Sequence, residues 1–299
     1  MTLIVISGAT ATGKSELAIA VAQKIGGEII SADSMQLYRG MDIGTAKLSK
    51  DERGNIPHHL LDVLDVREDA NVAWYQEQAR ALIDQLGRAG KNVVVVGGTG
   101  LYIKAILDDL TFPDTNPEVR NSLNLLAEKI GGPAMHERLA KLDPAAALAI
   151  PAENVRRVVR ALEVIEITGK PFTANLPRVA STRYPNAIQF GLVMERENLD
   201  QRISDRVDRM WQAGLVSEVD QLLAAGLLEG RTAQLALGYA QVIKFRAGDI
   251  SEDEAREETK RATRQYARRQ ETWFSRDERI NWIAPGTGRL ERVLSVIDA

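Results

Sequence analysis

The chain has 299 residues, 44% of them hydrophobic and 26% charged, with a net charge of -3; this is room for one elaborated domain or two, in the range of a soluble globular protein. With no cysteine and three histidines it excludes disulfides and thiolate metal centres, leaving Mg²⁺ on oxygen ligands as the metal to expect. No run approaches the roughly 20 apolar residues of a membrane-spanning helix, and no signal-peptide pattern opens the sequence; a cytoplasmic protein without membrane contact is expected, its slight negative charge still compatible with a local basic face.

The first element is the apolar run Leu3 to Ile6, a strand, and the helical spacing of Leu17, Ala18, Val21 and Ile25 begins soon after. Between them lie Gly8, Ala9, Thr10, Ala11, Thr12, Gly13, Lys14 and Ser15, the pattern GxxxxGK[ST] of a phosphate-binding loop. Its glycines let the backbone wrap an anion with N–H groups turned inward at a helix N-terminus. Lys14 adds a full charge, and the Ser15 hydroxyl is placed to ligate Mg²⁺.

Glu28 to Ser31 reads as a second strand that ends at Ala32 and Asp33. Strand C-termini of an open α/β sheet face the ligand crevice, so Asp33 suits a base, although a carboxylate there also serves as a helix cap. Residues 38–47 have closely spaced glycines and no period, a long loop at the crevice mouth. Pro57 to Val63 approaches a short strand, its paired His58 and His59 read as structural rather than as ligands. Val72 to Leu86 is helical, and Val93 to Val96 is a β-branched run of the kind found in central parallel strands. That strand ends in Gly97, Gly98, Thr99 and Gly100, where many P-loop enzymes place a Mg²⁺-binding Asp. The glycines suit either close contact with a phosphate or substrate, or a tight turn into the Leu101 to Leu110 helix.

Past Pro113 and Pro117 the pattern is helical until about residue 188: Glu118 to Ile130, Pro133 to Lys141 and Asn154 to Thr168. Such an insert could clamp a large substrate, with Arg156, Arg157 and Arg160 either meeting phosphates or solvated. Ile188 to Val193 returns to the sheet. Asn198 to Trp211 then carries Arg202, Arg206 and Arg209 on one face, a row better suited to a diphosphate than to packing. The helix from Glu252 to Arg276 is acidic first and basic later, with Lys260, Arg261, Arg264, Arg268 and Arg269 among Tyr266, Trp273 and Phe274. That order matches the helix dipole and equally suits a nucleic-acid backbone and its bases. A short strand Asn281 to Ile283 and a helix Leu290 to Ile297 close the chain. The expected fold is a doubly wound parallel sheet of the P-loop NTPase-like kind with an all-helical insert domain, divided as 1–112, 113–187 and 188–299.

With these residues collected, the sequence resembles the bacterial tRNA dimethylallyltransferases from end to end. Beside the phosphate loop, the resemblance rests on Asp33-Ser34-Met35-Gln36-Leu37-Tyr38, Gly44-Thr45-Ala46-Lys47, Pro57-His58-His59-Leu60, Gly97-Gly98-Thr99-Gly100-Leu101-Tyr102, Asn154-Val155-Arg156-Arg157, Leu237-Gly238-Tyr239 and Arg268-Arg269-Gln270-Glu271-Thr272-Trp273-Phe274. It implies transfer of dimethylallyl from its diphosphate to N6 of the adenosine 3′-adjacent to the anticodon, in tRNAs reading codons that begin with U. The loop would then hold diphosphate as a leaving group, which accounts for the missing strand-end Asp. The resemblance implies Asp33 as base, and Lys14, Ser15 with Mg²⁺, Thr99 and Arg206 around the diphosphate. It places tRNA contacts on Asp33, Ser34, Met35, Gln36, Thr99, Arg120, Asn154, Val155, Arg156, Arg157 and Val158, with the target base flipped from its stack. No protein partner is implied. The rival readings are a P-loop small-molecule kinase, a prenyltransferase acting on free adenine nucleotide, and a non-catalytic RNA-binding module.

Overall fold

Leu3–Gly8 forms β1 and Lys14–Ile25 forms α1, with the phosphate loop between them, in a computed structural model that describes residues 1–175 and 182–297. The chain continues through β2 (Gly27–Ser31), β3 (His58–His59), α2 (Val72–Arg88), β4 (Asn92–Val96) and α3 (Gly100–Leu107). Next come α4 (Pro117–Leu142), α5 (Pro144–Ala149) and α6 (Val155–Thr168). It then runs through β5 (Ile188–Leu192), α7 (Arg196–Gln212), α8 (Leu215–Ala224), α9 (Tyr239–Ala247), α10 (Glu252–Phe274), β6 (Ile280–Ile283) and α11 (Arg289–Ile297). The helices α5, α8 and α9 are additions to the elements expected from the sequence.

The six strands pair in parallel in the order β3-β2-β4-β1-β5-β6. From β1 the chain first builds one side of the sheet and only later the other, so the crevice of this doubly wound sheet opens beyond the C-terminal end of β1. The phosphate loop sits there. Strand periodicity of two divides the core: Leu3, Val5, Ile30, Val93 and Val95 face the cluster that includes Tyr75, Ile106 and Tyr239. Ile4, Ile6, Ile29, Val94 and Phe190 face Val21 of α1 and Val293 of α11. The paired histidines make the edge strand; His59 Nε2 lies 2.7 Å from Glu28 Oε2, and His58 Nδ1 lies 2.8 Å from the Ile56 carbonyl.

Two compact units result, Met1–Leu107 with Tyr184–Ala299, and Asp108–Arg183. By this division the insert begins before residue 113 and ends before residue 187, where the Tyr184 hydroxyl already donates to Asp84 Oδ1 (3.0 Å) within the sheet unit. Residues 176–181 of the expected insert lie outside the described residues. Within the insert α4 breaks at Gly131 (φ +81°), just before Pro133, where the sequence separates two helices. Leu123, Met135, Leu139, Val158 and Leu162 form its core. Asn116, Asp143 and Asn154 cap α4, α5 and α6, each accepting backbone N–H groups at a helix start.

Candidate active site

The phosphate loop is held in left-handed backbone at three positions, Gly8 (φ +133°), Ala11 (φ +65°) and Gly13 (φ +93°). A Cβ at Gly8 would lie 2.7 Å from the Leu192 carbonyl oxygen, so glycine is required there by both conformation and space. The buried Ala9 carbonyl accepts from the Thr12 hydroxyl (2.8 Å) and from Lys14 Nζ (2.6 Å). One N–H departs from the inward arrangement expected of the loop: that of Thr10 donates to Gln270 Oε1 (2.8 Å). The Lys14 pKa is lowered from 10.5 to about 7, by burial first and the positive charge of Arg206 second, with Asp33 opposing both.

Asp33 lies half-buried at the end of β2, its Oδ1 accepting from the Met35 N–H (2.9 Å). No helix follows, so the expected cap is a local turn. The Ser34 N–H donates to Thr99 Oγ1 (3.2 Å), which ties the ends of β2 and β4 side by side. Gln36 is turned inward, accepting from the Ser31 hydroxyl and donating to the Thr45 carbonyl. At the end of β4 the glycines meet protein rather than open space. A Cβ would lie 2.2 Å from the Ala32 carbonyl at Gly97, 2.2 Å from Gln270 at Gly98 and 2.2 Å from Trp273 at Gly100. Close packing against protein is what the missing side chains at these three positions permit.

Two cavities meet at this edge of the sheet. One, of about 580 Å³, is lined by Lys14, Ser15, Glu16, Arg202, Arg206 and Arg209. The other, of about 320 Å³, is lined by Asp33, Tyr266 and Arg269 and by the apolar Ile203, Val207, Leu235 and Leu237. Arg206 and Met210 belong to both walls. The Arg206 guanidinium, 3.4 Å from the Thr10 hydroxyl, has its pKa lowered by burial, with Asp33 acting against that loss and Arg209 and Arg202 adding to it. A cationic chamber therefore adjoins a largely apolar one that carries a carboxylate. Residues 42–47 line both, held by Glu218, whose carboxylate accepts from the N–H groups of Asp42, Ile43 and Gly44 (3.1, 2.8 and 3.2 Å) and from the Tyr239 hydroxyl (2.5 Å).

The basic residues of the other elements divide by partner. On α10, Lys260 is engaged by Asp208 and Glu257, and Arg264 donates to the Ser204 hydroxyl (2.9 Å), so these two fasten α10 to α7 rather than await a nucleic acid. In the insert, Arg120 and Arg160 both bind Glu163, whose side chain is 0% exposed, and Arg160 also donates to the carbonyls of Pro113 and Asp114. The solvated and phosphate-contact readings of Arg160 thus both give way to an internal ion cluster, and Arg120 spends its charge in the same place. Val158 is buried in the insert core, which removes its side chain from the expected tRNA contacts. Asn154 caps α6 by accepting from the Arg157 N–H (3.3 Å), and Val155 packs against the core. Arg156 and Arg157 are exposed. Gln270, Glu218 and Tyr239 are the site residues that sequence reasoning left without roles; the motifs containing Gln270 and Tyr239 were the available signal.

A sequence model of the family described as IPP transferase matches residues 36–277. The chain is 58% identical over 287 residues to a tRNA dimethylallyltransferase of Thermobifida fusca (94% of this chain, 89% of the relative), and 50% identical over 297 residues to one of Salinispora tropica (99% and 92%). Among solved structures it is similar to a tRNA isopentenylpyrophosphate transferase of Bacillus halodurans (TM-score 0.73, 36% identity, 99% of this chain and 95% of that one). It is also similar to a eukaryotic dimethylallyltransferase described as acting on tRNA (TM-score 0.84, 28% identity, 99% and 78%). Phosphate loop, strand-end carboxylate, adjoining chambers and relatives matched over nearly their whole length agree: the chain belongs to the tRNA dimethylallyltransferase family.

Proposed function

We propose that this enzyme transfers the dimethylallyl group of dimethylallyl diphosphate to the exocyclic N6 amine of the adenosine 3′-adjacent to the anticodon, in tRNAs that read codons beginning with U. The observation that carries the reading is the pair of adjoining chambers: guanidiniums and Lys14 suit a diphosphate, and the apolar walls of Ile203, Val207 and Leu237 suit a five-carbon tail beside Asp33. In the reaction the N6 lone pair forms the new C–N bond as the allylic C–O bond breaks. The electron pair of that bond leaves with the diphosphate, and the N6 proton passes to the Asp33 carboxylate. Charge grows on the leaving oxygen, where Lys14, Arg206 and the Thr99 hydroxyl provide stabilisation. A lowered Lys14 pKa is matched to this task, since an anion beside it restores the ammonium form.

Among the described residues no group of three or more His, Asp or Glu side chains could hold a metal ion. The cationic chamber is lined by Ser15 and Glu16, oxygen-bearing residues that fit Mg²⁺ held mainly by the diphosphate's own oxygens. Bound there, Mg²⁺ would supply further neutralisation of the leaving group. On the insert, the exposed Arg156 and Arg157 supply charge for the tRNA backbone. Against a P-loop kinase stands the absence of a carboxylate among Gly97, Gly98, Thr99 and Gly100. Incubation with labelled dimethylallyl diphosphate, Mg²⁺ and unmodified tRNA, followed by nucleoside analysis, tests the reading. Label in the modified adenosine is expected, with none on free AMP; label on AMP, or phosphorylation from ATP instead, overturns it.

A further inference from the structure

Gln270 is 5% exposed and lies where β1 and β4 part. The last ladder bond between these strands runs from the Gly97 N–H to the Ile6 carbonyl (3.2 Å). Beyond it the side-chain amide of Gln270 fills the next rung: Oε1 accepts from the Thr10 N–H (2.8 Å) and Nε2 donates to the Gly98 carbonyl (2.8 Å). The two partners fix which end of the amide is which, since an N–H can face only the oxygen and a carbonyl only the NH₂. One turn earlier on α10, Tyr266 lies beside Thr99 and Gln270. Gly98 lacks a side chain at the spot Gln270 occupies. One face of α10 thus grips both the phosphate loop and the strand end that carries Thr99, while Thr99 in turn holds the segment beginning at Asp33.

We propose that Gln270 is a positioning residue for the transfer reaction: it sets the separation between the phosphate loop, which holds the leaving group, and the Asp33 segment fastened to the end of β4, which presents the nucleophile. The proposal rests on the prenyl-transfer reading above. Attack on an allylic carbon needs nucleophile, carbon and leaving oxygen held close and aligned, and a misplacement of about 1 Å can cost about 100-fold in rate. Loss of Gln270 also strands a buried N–H and a buried carbonyl, so the two loops would relax apart to find other partners.

The test uses the full chain with Gln270→Met, which keeps the volume and removes both bonds, and Gln270→Glu, which keeps the shape. Turnover is measured with saturating dimethylallyl diphosphate, Mg²⁺ and tRNA, and tRNA affinity is measured separately. The Met variant is expected to turn over about 10–100-fold more slowly while tRNA affinity stays within about threefold. A protonated carboxyl offers one O–H and one carbonyl oxygen, the same pair of functions as the amide, and burial raises its pKa. Turnover of the Glu variant relative to wild type should therefore climb as pH falls from about 9 to about 6, with no such climb for the Met variant. Asp33, Arg206, Arg269 and Tyr266 also titrate or carry charge around this spot, and taking the ratio to wild type removes their common effect. Should the Met variant not fold, the Glu variant's ratio to wild type between about pH 9 and about pH 6 carries the comparison alone. Turnover within about threefold of wild type in both variants, or a Glu-variant ratio flat with pH, overturns the proposal. Failure of wild-type transfer in the same assay counts against the prenyl-transfer reading, separately from Gln270.

Discussion

Asp33 holds a local turn and, in the proposed reaction, would also accept the N6 proton. Its Oδ1 closes a turn with the Met35 N–H, a bond that an asparagine oxygen makes equally well. Asp33→Asn is therefore expected to melt within a few degrees of wild type and to bind both substrates, yet to turn over about 10²–10⁴-fold more slowly, the usual worth of a positioned proton acceptor. Calorimetric melting with single-turnover kinetics checks this, and near-normal turnover would leave Asp33 a turn residue. Lys14 offers a pH test of its own. In the free enzyme it loses its proton as pH rises through about 7, whereas in the unfolded chain it keeps it up to 10.5. Between these values the unfolded state holds more protons, so Lys14's contribution makes the free protein more stable as pH rises. A bound diphosphate favours the ammonium, so pyrophosphate binding at about pH 8 should take up protons. Titration calorimetry in buffers of differing ionisation enthalpy should show that uptake in wild type and its loss in Lys14→Met.

Within the insert, α4 and α6 carry two kinds of arginine that look alike in sequence. Arg120 and Arg160 surround Glu163, and although burial alone would raise the Glu163 pKa, the hydrogen bonds and charges of the two arginines hold it below 4.5. Its stabilising contribution is present above the ordinary glutamate value and is lost as pH falls through the lowered one. Removing one partner of a buried ion cluster costs about 3–5 kcal/mol, so Glu163→Ala should lower urea stability by about that much at neutral pH. The exposed Arg156 and Arg157 predict the opposite profile. Replacing both by Ala should leave stability within about 0.5 kcal/mol. It should weaken tRNA binding and flatten its salt slope by about one unit per lost phosphate contact. Fluorescence titrations across salt concentrations distinguish the two classes, and an unchanged slope would make Arg156 and Arg157 ordinary surface.

At the scale of the whole molecule, the far end of the chain reaches back to the start. Arg289, at the first turn of α11, donates through Nη1 to the Thr12 carbonyl (2.9 Å) and through Nη2 to the Val193 carbonyl (3.4 Å), bracing the phosphate loop from behind. Burial and the neighbouring Arg202 and Arg292 lower its pKa. Arg289→Ala is expected to raise KM for dimethylallyl diphosphate by about 3–10-fold with little change in tRNA affinity, as a hydrogen bond from a charged donor is worth about 1.5–3 kcal/mol when fully buried and less at this partly exposed site. Steady-state kinetics with each substrate varied in turn checks it; an unchanged KM would show that the loop holds its shape without α11.

Sequence alone was sufficient for the glycine-rich turn between β1 and α1, the alternation of strands and helices, and the helical nature of the insert, because each is written in neighbouring residues: a glycine pattern between a strand and a helix, β-branched runs, apolar positions at helical spacing. The same local logic missed α8 and α9, whose buried residues are few and whose packing is supplied by the sheet unit. Tertiary structure alone decided which charges are free. Arg160 and Arg156 share one helix, and what separates them is Glu163 on that helix's inner face together with the carbonyls of Pro113 and Asp114, 47 and 46 positions from Arg160 in the chain. It also decided that Gly97, Gly98 and Gly100 make room for protein, and that Gln270 bridges Thr10 and Gly98, 260 and 172 positions away. Periodicity reports which face of an element is buried; a hydrogen-bond partner that arrives from a distant element leaves no period, and only the packed fold brings the two together.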